Sequence, residues 1–197
     1  MRLSGLKSVI RKTKKQYVKS NPQHVADNLL NRKFTADKPN HKWLTDVTEF
    51  KYGNSQKAYL SAILDLHDKT IVAYVLGNSN NNQLVFRTLD MALEASPGAS
   101  PMIHSDRGYQ YTYYGFKHKL SAAGMTQSMS RVGKCIDNGP MEAFWGILKC
   151  EKYYLHKYHT FDDLSKAIKE YINFYNTKRL QKGLNGLSSM EFRALAA

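Results

Sequence analysis

Cysteine is nearly absent: Cys135 and Cys150 are the only two in 197 residues, and their spacing forms no paired metal or disulfide framework. No apolar run approaches the roughly 20 residues needed to span a bilayer, and the longest candidate, from Tyr59 to Leu76, is broken by Asp65, His67, Asp68 and Lys69. A secretory h-region is missing from the N-terminus as well. These absences exclude a disulfide scaffold and a helical membrane protein, and they point to a reducing cytoplasm with both thiols unpaired. Carboxylates are also scarce. Sixteen Asp and Glu face twenty-nine Lys and Arg, a net charge of +13, which favours a polyanionic partner and electrostatically steered encounter with it. Nucleic acid fits that charge better than an anionic membrane, for want of any spanning segment.

What is present is enough for a folded domain, since 42% of the residues are hydrophobic. Charge is concentrated at the front: Met1 to Lys42 holds eleven Lys and Arg against Asp27 and Asp37. Leu3, Leu6, Val9 and Ile10 recur at helical spacing, and the basic stretch Arg11 to Lys19 ends at Asn21-Pro22, so a short helix followed by a tether is expected. From Trp43 the pattern changes. Trp43–Tyr52, Ala58–Leu66 and Thr70–Leu76 read as three antiparallel strands with turns at Gly53-Asn54 and His67-Asp68-Lys69. Asn82–Ala95 reads as a helix stopped by Ser96-Pro97-Gly98, Pro101–Ser105 as a strand, Thr112–Ala123 as a helix and Met125–Met129 as a strand. Asn138–Glu151 and Phe161–Tyr175 complete the order βββαβαβα, an α/β fold with a mixed sheet and helices on both faces. There is no internal repeat and no low-complexity tract.

Three acidic residues fall in three of these elements. Asp46 lies mid-strand, where a sheet covered on both faces would desolvate its charge unless a cation or hydrogen-bond donors compensate. Asp106 sits where a strand gives way to a Gly turn, in the region where open α/β sheets collect ligands. Glu142 follows Asn138-Gly139-Pro140, where Asp137 or Asn138 can cap a helix that Pro140 starts. On a wheel of about 100° per residue, Glu142, Gly146 and Lys149 share a face opposite Phe144, Ile147 and Leu148. His104-Ser105-Asp106 cannot be a hydrolase triad, because consecutive strand residues point to opposite faces. Cys150, His156 and His159 lack a fourth ligand and a zinc-cluster spacing. Trp43, Tyr109, Tyr111 and Trp145 could stack on bases, but aromatics in such numbers more often build a core or its rim.

The blocks Trp43–Glu49, His104–Tyr111, Gln127–Arg131, Asp137-Asn138 with Glu142, Leu148–Glu151, and Tyr175-Asn176 with Arg179 together resemble the integrase core of the retroviral integrase superfamily. In particular they are similar to the second reading frame of IS3-family insertion-sequence transposases, over about residues 31 to 193. Thirty-five residues separate Asp106 from Glu142, matching the spacing of that family's acidic triad. The sequence departs from the pattern at Ser189, where the family has the Pro of a Ser-Pro pair, and near Gln181, where it has a His.

The resemblance implies a ribonuclease-H-like mixed five-stranded sheet flanked by helices. It divides the chain into a basic N-terminal helix and linker at 1–40, similar to the tail of a helix-turn-helix region, a catalytic core at 41–155 and a helical extension at 156–197. It further implies a DDE transposase in which Asp46, Asp106 and Glu142 are catalytic and hold two Mg²⁺ or Mn²⁺ ions. Lys149, Arg107, Arg131, Lys134 and Asn138 would then contact DNA. Implied partners are the insertion-sequence ends, target DNA, further copies of the chain and an upstream-frame helix-turn-helix protein. Two other readings stay open: a ribonuclease-H-like nuclease that only hydrolyses, and a shortened, non-catalytic DNA-binding fragment that regulates transposition.

Overall fold

β1 (Lys42–Tyr52), β2 (Gln56–Asp65) and β3 (Ile71–Gly77) form the antiparallel meander that their alternating apolar residues require. In the computed structural model, which describes residues 22–196, two more strands extend the sheet on the other side of β1. These are β4 (Met102–Ser105) and β5 (Thr126–Met129), both parallel to β1, giving the order β3-β2-β1-β4-β5. The expected helix around Leu3 to Ile10 and the basic run from Arg11 to Lys19 lie outside the described residues.

Alternation along β1 sends side chains into two separate cores. Trp43 faces one side with Ile63, Val85, Leu89, Phe116 and Leu120, under α1 (Asn82–Ala95) and α3 (Tyr114–Ala122). Leu44 and Phe50 face the other with Phe144, Leu148, Leu164 and Ile168, under α4 (Gly139–Glu151) and α5 (Phe161–Thr177). Leu164, Ala167, Ile168, Tyr171, Ile172 and Tyr175 form the single apolar stripe of α5, and Thr160 with Asp163 closes a capping box at its start. The second core runs from Leu30 through β1 to Tyr175, so residues on both sides of the boundaries expected at 40 and 155 bury surface together.

The helix expected over Thr112–Ala123 is two. A four-residue turn, α2 (Tyr109–Thr112), precedes α3, with Tyr113 extended between them. The Thr112 carbonyl, which a continuous helix would have used, accepts the His24 N–H instead. The expected cap of α4 also differs. Neither Asp137 nor Asn138 accepts from the helix N-terminus through its side chain, and both belong to a short 3₁₀ turn, Cys135–Asn138, that leads into α4. Asn138 donates to the Thr45 carbonyl at 3.3 Å. Asp137 is occupied by Arg131, which contacts it through Nε and Nη2 at 2.8 Å each, by Arg32 Nε at 2.7 Å and by Asn28 Nδ2 at 3.0 Å. Cys150 is a free thiol.

A last short helix, α6 (Ser189–Ala194), was not legible in the sequence. Its Arg193 reaches the buried Asp65 and Asp68 at 3.2 and 2.9 Å. Ser189, which departs from the family pattern, bonds through its Oγ to Gln181 Nε2 at 2.8 Å.

Asp137 is fully buried on its side chain, whereas Arg131 and Arg32 are nearly half exposed. Hydrogen bonds from Arg131, opposed by burial and reinforced by Arg32, hold its carboxyl well below the usual carboxylate range. Its stabilising contribution is therefore complete above the unfolded value near 4 and is lost only in stronger acid. Asp137→Asn is expected to cost about 2–3 kcal/mol at neutral pH, measured by urea unfolding.

Candidate active site

β1 and β4 run parallel with Trp43 opposite Ile103 and Leu44 opposite His104. Two residues beyond that last pair come Asp46 and Asp106, carried by neighbouring strands. Asp46 is half-buried and Asp106, just past the end of β4, is exposed. A single phenol senses both. The Tyr111 hydroxyl, buried 3.2 Å from Thr45 Oγ1, is pushed well up by burial and by the negative charge of Asp46, with Asp106 adding to it.

Each carboxylate is oriented by an N–H. Trp145 Nε1 donates to Asp46 Oδ2 at 3.0 Å, and the Val47 amide to Asp46 Oδ1 at 2.8 Å. These are the compensating donors that a half-buried aspartate in a sheet needs. The Gly108 amide donates to Asp106 Oδ1 at 2.8 Å. A Cβ at Gly108 would lie 2.9 Å from that same oxygen, so only glycine leaves the carboxylate where it is.

Glu142 is half-buried in the first turn of α4, three residues before the tryptophan that reaches Asp46, and hence on the same helix face. One face further along, Lys149 Nζ donates to Thr48 Oγ1 at 2.6 Å and stands 5.1 Å from the Phe50 ring centroid. Gly146 lies between them with open space around its Cα. Among the described residues, no three His, Cys, Asp or Glu side chains form a group that could hold a metal. The donor chemistry nonetheless suits a hard cation. All three candidate carboxylates offer only oxygen, and the Oδ1 of Asn138 is a buried oxygen without a hydrogen-bond partner, on a residue whose amide holds the carbonyl next to Asp46.

The remaining expectations divide by burial. Trp43, Tyr111 and Trp145 are buried, and of the four aromatics considered for base stacking only Tyr109 is exposed. Arg107 Nε donates to the Ser130 carbonyl at 2.7 Å; Arg131 is bound to Asp137, while Lys134 is exposed. His104 is fully buried with its ring nitrogens 2.8 and 3.0 Å from Ser128 Oγ and Ser130 Oγ, which removes it from any triad with Ser105. Thr48 and Trp145 were missed as partners of Lys149 and Asp46. Their signal was available: Thr48 shares the Asp46 face of β1, and Trp145 the Glu142 face of α4.

Residues 36–135 match a family model described as an integrase core domain, and residues 142–195 match a second with the same description. The chain belongs to the integrase core family. This integrase core is 45% identical over 193 residues to a transposase-like protein of Haemophilus influenzae, spanning 98% of this chain and 89% of that one. It is 29% identical over 170 residues to the transposase InsF for insertion sequence IS3A of Escherichia coli, covering 85% of this chain and 59% of that one. In fold it is similar to the magnesium-bound catalytic core domain of HTLV-2 integrase, with a TM-score of 0.64, 20% identity and coverage of 80% and 99% of the two chains. Its five-stranded mixed sheet is accordingly ribonuclease-H-like, and its place is among the DDE transposases of insertion sequences.

Burial lowers the His104 imidazole from 6.5 to about 4, the charge of Asp137 opposing. The unfolded chain therefore takes up a proton first as pH falls, so stability present above 6.5 is progressively lost down to about 4. Urea midpoints measured in EDTA should decline across that window, and His104→Gln should flatten the decline.

Proposed function

We propose that this integrase core cuts and joins DNA by in-line displacement at phosphorus, with Asp46, Asp106 and Glu142 as the catalytic residues that hold two Mg²⁺ or Mn²⁺ ions. The observation that supports this reading is the parallel pairing of β1 with β4, the strands that carry Asp46 and lead to Asp106, beside a helix that carries Glu142 and reaches Asp46 through Trp145. Asp46, Asp106 and Glu142 would hold the ions, which would supply Lewis-acid activation of the attacking and leaving oxygens.

The protein's part is orientation. Trp145 fixes one oxygen of Asp46, and the Gly108 amide fixes one of Asp106. Lys149, Arg107, Arg131, Lys134 and Asn138 lie on the elements around the carboxylates and supply phosphate contacts that position the strand without reading its sequence. Water attacks first and releases a 3′-OH at the element's end. That hydroxyl then attacks a phosphodiester of target DNA, so phosphorus exchanges one oxygen for another in each step with no covalent protein intermediate. Two ends must be joined together, which calls for more than one copy of the chain, and an upstream-frame helix-turn-helix protein supplies end recognition. The work is done in the cytoplasm, on nucleoid DNA.

The test is incubation of the purified protein with labelled duplexes carrying the element's ends, in Mg²⁺, Mn²⁺ or EDTA. Metal-dependent nicking and strand transfer are expected, with Asp106→Asn abolishing both while DNA binding persists. Joining that survives in Asp106→Asn overturns the assignment. Nicking with no joined product identifies a hydrolytic nuclease, and binding with no product at all a regulatory fragment. Gly108→Ala, which pushes the Asp106 carboxylate aside, should slow the chemistry roughly ten- to a hundredfold with the fold retained, as judged by circular dichroism.

A further inference from the structure

Where β1 ends and α4 runs out, the hairpin turn at 53–55 and the loop over 153–159 border an open cavity of about 450 Å³, within the size range of small-ligand sites. Tyr52, Tyr153, Tyr154 and Tyr158 line it, each half-buried, with exposed Lys51 and Lys157 beside them. His156 and His159 also contribute, and no carboxylate is among the lining residues. The Tyr153 and Tyr158 rings are stacked, 8° from parallel with centroids 5.9 Å apart.

These walls are held in place by the protein itself. The Tyr153 hydroxyl accepts from the Lys51 amide at 2.9 Å and donates to the Lys51 carbonyl at 2.8 Å. The Gly53 amide donates to the Tyr158 carbonyl at 2.8 Å. Gly53 has φ +50°, and a Cβ there would stand 3.1 Å from the His159 carbonyl oxygen, so the turn and the loop meet with no side chain between them. A ligand entering this cavity finds its walls already fixed, which lowers the cost of binding.

Tyr153 follows Glu142 by eleven residues, just past the end of α4, roughly 16 Å at 1.5 Å per residue. Between them, Lys149 lies over Phe50, whose ring meets Tyr153 edge-on at 4.9 Å.

We propose that this cavity seats an unpaired nucleotide of the DNA strand that passes from the catalytic carboxylates along α4, its base on the tyrosine rings and its phosphates at Lys51 and Lys157. The inference rests on the transposase reading above and adds to it a second contact on the same strand. Aromatic stacking accepts any base, and lysines in a lining that holds no carboxylate favour a polyanion. An acidic peptide satisfies the lysines but gives the tyrosines no base to stack on.

The experiment uses the whole chain in EDTA, so that binding is read without chemistry. A labelled ten-nucleotide oligothymidylate carrying 5-iododeoxyuridine is photocrosslinked to the unaltered protein and the adduct mapped by mass spectrometry. Adducts on Tyr153, Tyr154 or Tyr158 are expected. Tyr154→Ala, and Lys51→Ala combined with Lys157→Ala, should each weaken oligonucleotide affinity about tenfold, the lysine pair also reducing its salt dependence. Adducts confined to residues outside 51–55 and 153–159 overturn the proposal, as does wild-type affinity in both variants. Either failure leaves the Asp106→Asn comparison standing, and loss of chemistry in every form leaves the mapped adducts readable.

Discussion

Parallel pairing between β1 and β4 joins residues some sixty positions apart in the chain, and the candidate active site depends on it. Carboxylates repel one another, and no local sequence signal could bring Asp46 to Asp106. Backbone hydrogen bonds fix strand spacing and direction, and the register then brings the side chains abreast without any attraction between them. The cores on the two sheet faces stabilise that pairing, since Trp43 and Leu44, two of the three residues in register with β4, are each completely buried on opposite sides. Like charges are thus held together by apolar burial on either side of the strand that carries one of them.

The helix bearing Glu142 is held by a different kind of force. Its entrance is fixed by the Asp137 cluster, in which Asn28 and Arg32 from the leading segment meet Arg131 from the loop after β5. Its far end is fixed through Glu151, which accepts from Arg179 at 2.6 Å and from the Tyr171 hydroxyl at 2.7 Å. Between these polar anchors Met141, Phe144 and Leu148 are buried against the sheet. The result is a helix clamped at both ends and packed along one side, with Glu142, Gly146 and Lys149 along the other.

Much of this was readable before any coordinates. The meander, α1 and the strand leading to Asp106 follow from alternation, helical spacing and turn residues, all of which are local. What escaped was set by distant partners. The break at Tyr113 depends on His24 claiming a carbonyl, and the cap expected from Asp137 depends on arginines elsewhere leaving it free, which they do not. Trp145 and Thr48 could be placed on the faces of Glu142 and Asp46 from spacing, but pairing them with Asp46 and Lys149 required knowing that α4 lies across β1. The three candidate carboxylates stood out because their spacing and flanking blocks resemble a family's; the residues that orient Asp46 and Asp106 did not, because orientation is a property of packing.

The bond between Gln181 and Ser189 gives the C-terminal turn an internal complement. Gln181 and Ser189 are paired in space, so they form one unit rather than two independent positions. A recombination breakpoint between them would split that unit and leave each half facing a partner suited to another sequence, whereas an exchange of the whole 181–189 segment carries its own match. The segment is modular at its ends and indivisible within.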